Sequence, residues 1–460
     1  MPSTFHGIHM SSGALRAFQY GMDIAGHNLA NVNTRGYTRQ TVEYKANDPL
    51  NYWFGRGYSL GQGVSISSIN RIRDDFLEFR MQSAMGDVGR QQTLATSLSQ
   101  VEPVFNEPGS DGIAAALDKF FNSWSSLASN PSAPASRLEV QQAGQKLADR
   151  IRTTFGDLRT RQSQLSDQMT QSITDINQIS SRIADLNAEI RRELAVGGTP
   201  NDLMDQRDNA VRDLAQLVNV TTSPLPTGEV TVHFGGYPLV DVAGDHAFPA
   251  NLDASTFSVS DGTYSYPVRG GALFGMMEAS QKISNYMSRL DTLANTLREE
   301  INTPHLTGMN ANGTTGIHFF NQSAVDPQNG AIDFDLSPSV KADAGNISAG
   351  ITGSPGDGGL ALAFSQLRDN NLVDLGNKSF STFYSQLIAD VGFDTQHAQQ
   401  SLDTVEAIVQ QVESQQQAVS GVSIDDEMAN MIKLQRSYQA AAKTLSIFDQ
   451  MTEEILGLVR

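Results

Sequence analysis

Cysteine is absent from this 460-residue chain. Its absence excludes a disulfide framework, a thiolate nucleophile and a thiolate metal site. Aromatic residues are sparse at 7%, and no run of apolar residues is long enough to cross a membrane. Positive charge is also scarce, with 32 Lys and Arg against 50 Asp and Glu, a net charge of -18. Such a surface repels a polyanion unless a local basic patch exists. The densest basic run, Arg191-Arg192, is flanked by Glu189 and Glu193, so nucleic acid is not an expected partner. The opening MPSTFHGIHMSSGALRAF has neither a basic n-region nor an apolar h-region, and no cleaved signal peptide is expected.

Catalytic signatures are weak. HExxH does not occur, and the one GxSxG match, Gly57 to Gly61, falls in a glycine-rich, turn-like stretch rather than on a strand-to-helix elbow. His6 and His9 stand at a spacing that can hold a metal on a helix, but without an acidic or third ligand nearby. His233, His246, His305 and His318 fall in β-rich or loop stretches and read as surface or packing residues. The glycines at 55, 57, 61 and 63 are wrongly spaced for a phosphate-cradling loop and read as a β-turn. Asp202, Asp205 and Asp208 surround Arg207, and two acids could serve a glycosidase. A helix-start position favours Asp202 as a dipole partner instead, with Arg207 as a salt-bridge partner for the others. Asp425, Asp426 and Glu427 fall in the first turn of a helix, where negative charge is stabilising. Tyr37, Trp53, Phe54 and Tyr58 read as packing or a subunit contact. No catalytic residue, cofactor or metal is expected, and the chain does not read as an enzyme.

What is present is helical periodicity at both ends and β-rich material between, over a length that suits two to four domains. Near the start, Leu15, Phe18, Met22, Ala25, Leu29 and Val32 alternate spacings of three and four, a heptad seam over 12–33. Asn31, Asn33 and Gly36 can take the left-handed conformation that closes a helix. Residues 35–70 read as extended and turn-rich. Helix is expected over 74–104, 112–128 and a long 136–195, where Met169, Ile176, Ile183 and Ile190 recur every seventh residue. About 60 helical residues would span ~90 Å, and such a helix needs partners of similar length. Another helix should run from Pro200-Asn201 to Leu217, and one from Ala272 to Ile301. The period changes to two in VTVHF, YPLVDV and TFSVSDGTYSYPV, with Asp261-Gly262 marking a hairpin turn. Residues 303–358 read as loop and strand. From about Leu360 the remainder reads as helix, interrupted at Gly376 and Ser420-Gly421. The last helix opens with Ser423 and Asp426, spaced as a capping box. Its seam runs through Met431, Leu434, Tyr438, Ala441, Leu445, Phe448, Ile455 and Val459.

The expected fold class is therefore mainly α with inserted β: a long coiled-coil-like helical rod formed by both termini and the central helices, plus a small β-rich outer domain. The corresponding division is 1–34 with 423–460 as a terminal helical domain. Segments 35–218, 271–302 and 359–422 make the rod, and 219–270 with 303–358 make the outer domain. Each terminal seam must find a partner. The two ends can pair with each other, and pairs from neighbouring copies can then pack side by side.

The run ALRAFQYGMDIAGHNLANVNTRGYTRQ resembles the N-terminal signature of the flagellar axial proteins (rod, hook and hook-associated). The matching positions are Leu15, Asn28, Ala30, Asn31, Val32, Asn33, Thr34, Gly36 and Tyr37, continuing into Thr38, Arg39 and Gln40. The closing SGVSIDDEMANMIKLQRSYQAAAKTLSIFDQMTEEILGLV is similar to the last helix of that group. It matches at Ser420, Gly421, Val422, Asp425, Glu427, Ala429, Asn430, Leu434, Gln435, Tyr438, Ala440, Ala441 and Ala442. PNDLMDQRDNAVRDLAQLVNV, SNPSAPASR, NLVDLGNKSFSTFYSQLIADVG and the 313–320 stretch are similar to segments of the hook-associated protein 1 branch.

The resemblance implies a structural adaptor. Such a chain is exported unfolded through the flagellar type III apparatus without a cleaved signal peptide. It then assembles at the distal end of the hook, outside the cell, to join hook to filament. The implied partners are further copies of itself, the hook protein, the next hook-associated protein and an export chaperone on the C-terminal helix, with neither membrane nor nucleic acid. Within the same group, the alternative is another rod or hook protein carrying a peptidoglycan-cleaving module.

Overall fold

The computed structural model describes residues 4–54, 56–109, 111–322, 330–352, 354 and 356–458. In chain order it forms α1 (Thr4–Ala30), β1 (Gln40–Ala46), β2 (Leu50–Phe54), β3 (Arg56–Leu60), β4 (Val64–Arg71), α2 (Asp75–Phe105), α3 (Ile113–Ser129), α4 (Pro134–Ala195) and α5 (Asn201–Leu217). Seven short strands follow: β5 (Thr221–Pro224), β6 (Val230–Phe234), β7 (Tyr237–Asp241), β8 (Gly244–Asp245), β9 (Asn251–Asp253), β10 (Ser258–Ser260) and β11 (Ser265–Pro267). The remainder is α6 (Gly271–Thr307), β12 (Met309–Asn310), α7 (Pro338–Ala342), β13 (Ser348–Gly350), α8 (Gly359–Gln366), α9 (Phe380–Ser420) and α10 (Ile424–Leu458). The mainly helical class with small antiparallel inserts is the class expected.

Three boundaries differ. Between α8 and α9 the chain leaves α-helix from Leu367 to Ser379, a wider break than the interruption expected at Gly376. The first helix begins at Thr4, eight residues before the expected Ser12, because Gly7 has a tertiary partner that periodicity does not reveal. The sixth helix runs through Pro304 to Thr307, past the expected end at Ile301. A proline in the last turn costs a single backbone bond, and buried Leu297, Ile301 and His305 hold that turn in place.

The chain forms two compact units. The first comprises Met1–Asp87, Asp175–Phe248 and Val405–Arg460, and the second Val88–Thr174 and Pro249–Thr404. In the first, β1 pairs antiparallel with β4, from Gln40 opposite Arg71 to Ala46 opposite Val64, with an irregularity at Glu43 and Tyr44. Strands β5–β6–β7–β8 make a four-stranded antiparallel sheet. Its Val232, Phe234, Leu239 and Val240 are buried, as are Ile176, Ile183 and Ile190 of α4 and Val211 and Leu214 of α5. Asn187 on α4 ties helix to sheet by donating to the Val230 carbonyl at 2.8 Å and accepting from the Val230 N–H at 3.1 Å.

The second unit is organised by aromatic packing. Trp124 and Phe120 of α3 meet Phe319 at ring separations of 5.3 and 5.7 Å, and Trp124 lies 4.7 Å from Phe364 of α8. His305 is buried in the same cluster, 5.7 Å from the Phe319 ring. Its Nδ1 donates to the Ile317 carbonyl at 2.6 Å, and its Nε2 accepts from the Ser348 N–H at 2.9 Å. Burial drives its pKa down to about 4, which keeps the ring neutral in that role. It is a packing residue, one of the two roles expected for it, although it lies in the last turn of α6 and not in a loop. Strands β9, β10 and β11 form a three-stranded sheet with the turn at Asp261 and Gly262, the latter at φ +94°. The segment 221–245 thus belongs to the first unit and 309–358 to the second.

Candidate functional site

The two terminal helices pair with each other. A Cβ on Gly7 would sit 2.5 Å from the Phe448 ring, and one on Gly21 would meet Leu434 Cδ1 at 3.1 Å. The same residue spacing separates Gly7 from Gly21 and Leu434 from Phe448, in opposite chain directions, so α1 and α10 run antiparallel. Glycine at both positions lets the backbones approach within the reach of a ring or a leucine. The deepest row on α1 is small: Gly7, Ser11, Ala17, Gly21, Ala25 and Asn28 are buried. Of the residues read as its heptad seam, Ala25 lies in that row, while Leu15, Phe18, Met22, Leu29 and Val32 are half-buried beside it. On α10, Leu434 is buried, and Met431, Tyr438, Ala441, Leu445 and Phe448 are half-buried. Ile455 lies past the turn that faces Gly7 and is exposed. Val459 lies outside the described residues.

A second element lies along α1. The hairpin of β1 and β4 follows it from Asn28, bonded to Gln40, through Tyr44, whose hydroxyl meets Gly21, to His6, whose Nε2 lies 3.2 Å from the Gly61 carbonyl. The first helix is therefore covered on two sides. Two rows on α10, each spaced by four residues, stay open: Ile424, Met428 and Ile432, then Ile447, Met451 and Ile455. Each of these side chains is between 44% and 52% exposed.

The Asn-rich turn after α1 holds this arrangement in place. Asn28 Nδ2 donates to the Gln40 carbonyl at 2.9 Å, while its Oδ1 accepts from the Gln40 N–H at 3.0 Å and from the Tyr37 hydroxyl at 2.7 Å. Asn31 closes the helix by donating to the His27 carbonyl at 3.1 Å, and its Oδ1 accepts from Thr34 Oγ1 at 3.1 Å. Asn33 is exposed in the turn. Gly36 sits at φ +73°, and a Cβ there would collide with the Asn209 carboxamide of α5, so both backbone and space demand glycine. Burial, followed by the charges of Asp202, Asp205 and Glu427, raises the Tyr37 pKa well above the ordinary phenol value. Tyr37 thus stays protonated as the donor to Asn28. Trp53, Phe54 and Tyr58, read with it as one aromatic cluster, have side chains outside the described residues.

Beneath the turn lies an ionic cluster that joins distant segments. Asp205 Oδ2 accepts from the Thr38 N–H at 2.9 Å, and its Oδ1 from Thr38 Oγ1 at 2.6 Å and Arg71 Nη1 at 2.6 Å. Asp208 accepts from Arg71 at 3.0 Å, from Arg73, and from Arg207 Nη2 at 2.9 Å. Arg212 grips Glu78 with two bonds, the Nε–Oε1 one at 2.7 Å. Burial raises the pKa of Asp205 despite the Thr38 and Arg71 bonds. Burial also works against ionisation of Asp208, but Arg207, Arg73 and Arg71 outweigh it and hold that carboxyl below its ordinary value. Opposed shifts on neighbouring carboxyls can mark an acid–base pair. Here every Asp205 and Asp208 oxygen is engaged by the chain's own donors, the arrangement of an ion cluster that ties segments together. Arg207 partners Asp208 as its spacing suggested, whereas the partner of Asp205 is Arg71, which proximity in sequence could not show. Asp202 accepts from Gln40 Nε2 at 2.8 Å. At the start of α10, Ser423 Oγ accepts from the Asp426 N–H at 3.3 Å, the N-cap half of the expected box.

Gly7, Gly21, Arg71 and the Arg39–Glu427 ion pair at 2.6 Å were not singled out in the sequence as parts of this site. The first two leave a legible trace as small residues at heptad spacing. The others meet partners more than a hundred residues away.

Three family models match this chain. The flagella basal body rod protein model covers residues 8–38, and the flagellar basal body rod FlgEFG protein C-terminal model covers 414–458. The model of the flagellar hook-associated protein FlgK helical domain covers 98–320. Flagellar hook-associated protein 1 of Bacillus subtilis (strain 168) is 28% identical, with 99% of each chain aligned. The protein of that name from Escherichia coli (strain K12) is 27% identical over 98% of this chain and 99% of its own. In fold, the flagellar hook junction protein FlgK from Burkholderia pseudomallei aligns with a TM-score of 0.64 at 18% identity, covering 74% of this chain and 100% of that one. The terminal models fall on the two helices that pair, the interior model runs from α2 to Phe320, and the relatives align from end to end: over its whole length the chain is similar to flagellar hook-associated protein 1.

Proposed function

We propose that this chain is the structural adaptor that polymerises at the distal end of the hook and joins hook to filament. The observation that carries the reading is the antiparallel α1–α10 pair, packed inward through Gly7, Gly21, Leu434 and Phe448 and open outward along the two apolar rows of α10. Apolar surface left in such rows is stabilised when another copy covers it. In this reading 1–34 and 423–460 form the inner tube, the rod segments surround it, and the β-rich segments face outward. The partners are neighbouring copies, the hook protein and the next hook-associated protein.

Before assembly the chain travels unfolded through the flagellar export apparatus to the outside of the cell. A chaperone meanwhile covers the apolar stripe of the C-terminal helix. No chemical step belongs to this role. The occupied carboxylates of Asp205 and Asp208 support a non-enzymatic reading over a peptidoglycan-cleaving one. The test is a strain lacking this protein, viewed by electron microscopy. Hooks that end bare, with filament protein shed into the medium, are expected, and full filaments growing from those hooks would overturn the proposal.

A further inference from the structure

The bend between α9 and α10 is built from three residues, 421–423. One side is closed by the Gly421 N–H, which donates to the Gln417 carbonyl at 3.0 Å, and the other by the Glu427 N–H, which donates to the Ser423 carbonyl at 3.0 Å. These bonds end one helix and begin the next, but neither spans the bend. Arg39 does. Its backbone N–H donates to the Ser420 carbonyl, the last of α9, at 3.0 Å, and its Nε donates to Glu427 Oε1 in the first turn of α10 at 2.6 Å. Its own carbonyl accepts from the Ile72 N–H at 2.8 Å. The next residue, Gln40, is the one locked to Asn28 of α1. Two consecutive residues therefore hold both terminal helices at their bases.

We infer that Arg39 is the positioning residue of this elbow, and that its bond to Glu427 sets the direction in which the α1–α10 pair leaves the end of α9. The inference rests on the reading that this pair is the assembling element, since only then does its direction matter to the lattice. The bond is placed to act on orientation. Glu427 is 1% exposed and its Oε2 has no hydrogen-bond partner, so a single donor holds a buried carboxylate. An arrangement selected for stability alone would use the two-bond fork that arginine and carboxylate can form. With one bond across a three-residue bend, loss of that donor frees the elbow. The seam at Gly7 and Gly21 still keeps the two helices together as a unit.

The chain has no cysteine, so two spin labels can be placed on the full-length protein without background. Ser414→Cys on α9 and Ser446→Cys on α10 are both exposed positions. Double electron–electron resonance between them is expected to give one narrow distance. In Arg39→Ala the distribution should roughly double in width as the elbow samples new angles. Arg39→Lys keeps the charge but removes the Nε donor, and should broaden it as well while disturbing folding less. Glu427→Gln retains an acceptor oxygen and should leave it narrow. Circular dichroism of each variant shows whether the helices persist. An unchanged narrow distance in folded Arg39→Lys or Arg39→Ala overturns the inference. If the variants broaden while a strain lacking the protein still grows filaments, the positioning role stands and the adaptor reading falls.

Discussion

Asn28 and Gln40 exchange two hydrogen bonds, the Asn28 carboxamide donating to the Gln40 carbonyl and accepting from the Gln40 N–H as a neighbouring strand would. One side chain thus extends the β1–β4 ladder onto a helix. Replacing Asn28 with alanine strips a partner from both backbone groups and from the Tyr37 hydroxyl. Denaturant unfolding should show a loss on the order of 3 kcal/mol. Asn28→Asp keeps the acceptor but loses the donor, and places a second carboxylate near Asp202, so it should be no better than alanine.

The closeness of α1 to α10 makes Gly7 intolerant of growth. Gly7→Ala gains helix propensity of ~1 kcal/mol but drives a methyl into the Phe448 ring. Overpacking of this kind costs about 1–3 kcal/mol. A net loss is expected in thermal unfolding, partly relieved by adding Phe448→Ala, which opens the space again. Additive losses in the double variant would contradict the close seam.

The outer rows of α10 separate assembly from stability. Ile432→Ser, Ile447→Ser and Met451→Ser alter side chains on the open face of α10, and each should change unfolding free energy by no more than about 0.5 kcal/mol. Combined in one chain, they should abolish complementation of motility in a strain lacking the protein, although the variant folds. Normal motility of the triple variant would argue against these rows as the surface that copies share.

His305 gives the second unit a pH dependence of predictable sign. Its ordinary pKa is 6.5, and burial lowers it to about 4 in the fold. Between those values the unfolded chain binds a proton that the folded one excludes, so stability falls as pH drops from about 6.5 to about 4. The full span is worth about 3 kcal/mol. Below it His305 contributes no further slope, and above it its contribution is constant. Urea unfolding across pH should show this decline, and His305→Gln should remove that part of it.

Much of the helical frame was legible because a helix writes its buried face into the spacing of one segment. Met169, Ile176, Ile183 and Ile190 recur at seven, and all four are buried along α4. The start at Asn201 and the turn at Asp261-Gly262 are local signals of the same kind, read from conformational preference without knowledge of any partner. The terminal signatures likewise lie within short segments, and the family models fall on them.

Tertiary structure alone decided which residues those segments meet. Spacing placed a stripe on α1 through Leu15, Phe18 and Met22. The deepest contacts fall on Gly7, Ser11, Ala17 and Gly21, because a helix covered on two sides buries most deeply the row where its partner's backbone comes closest. Asp205 sits two residues from Arg207 in the chain, yet its cation is Arg71. Arg39 finds Glu427 at the opposite end of the sequence. Coulomb attraction and hydrogen bonding act on distance in space. Periodicity along a chain encodes which face of a helix is apolar, and carries no record of the residue that will lie against it.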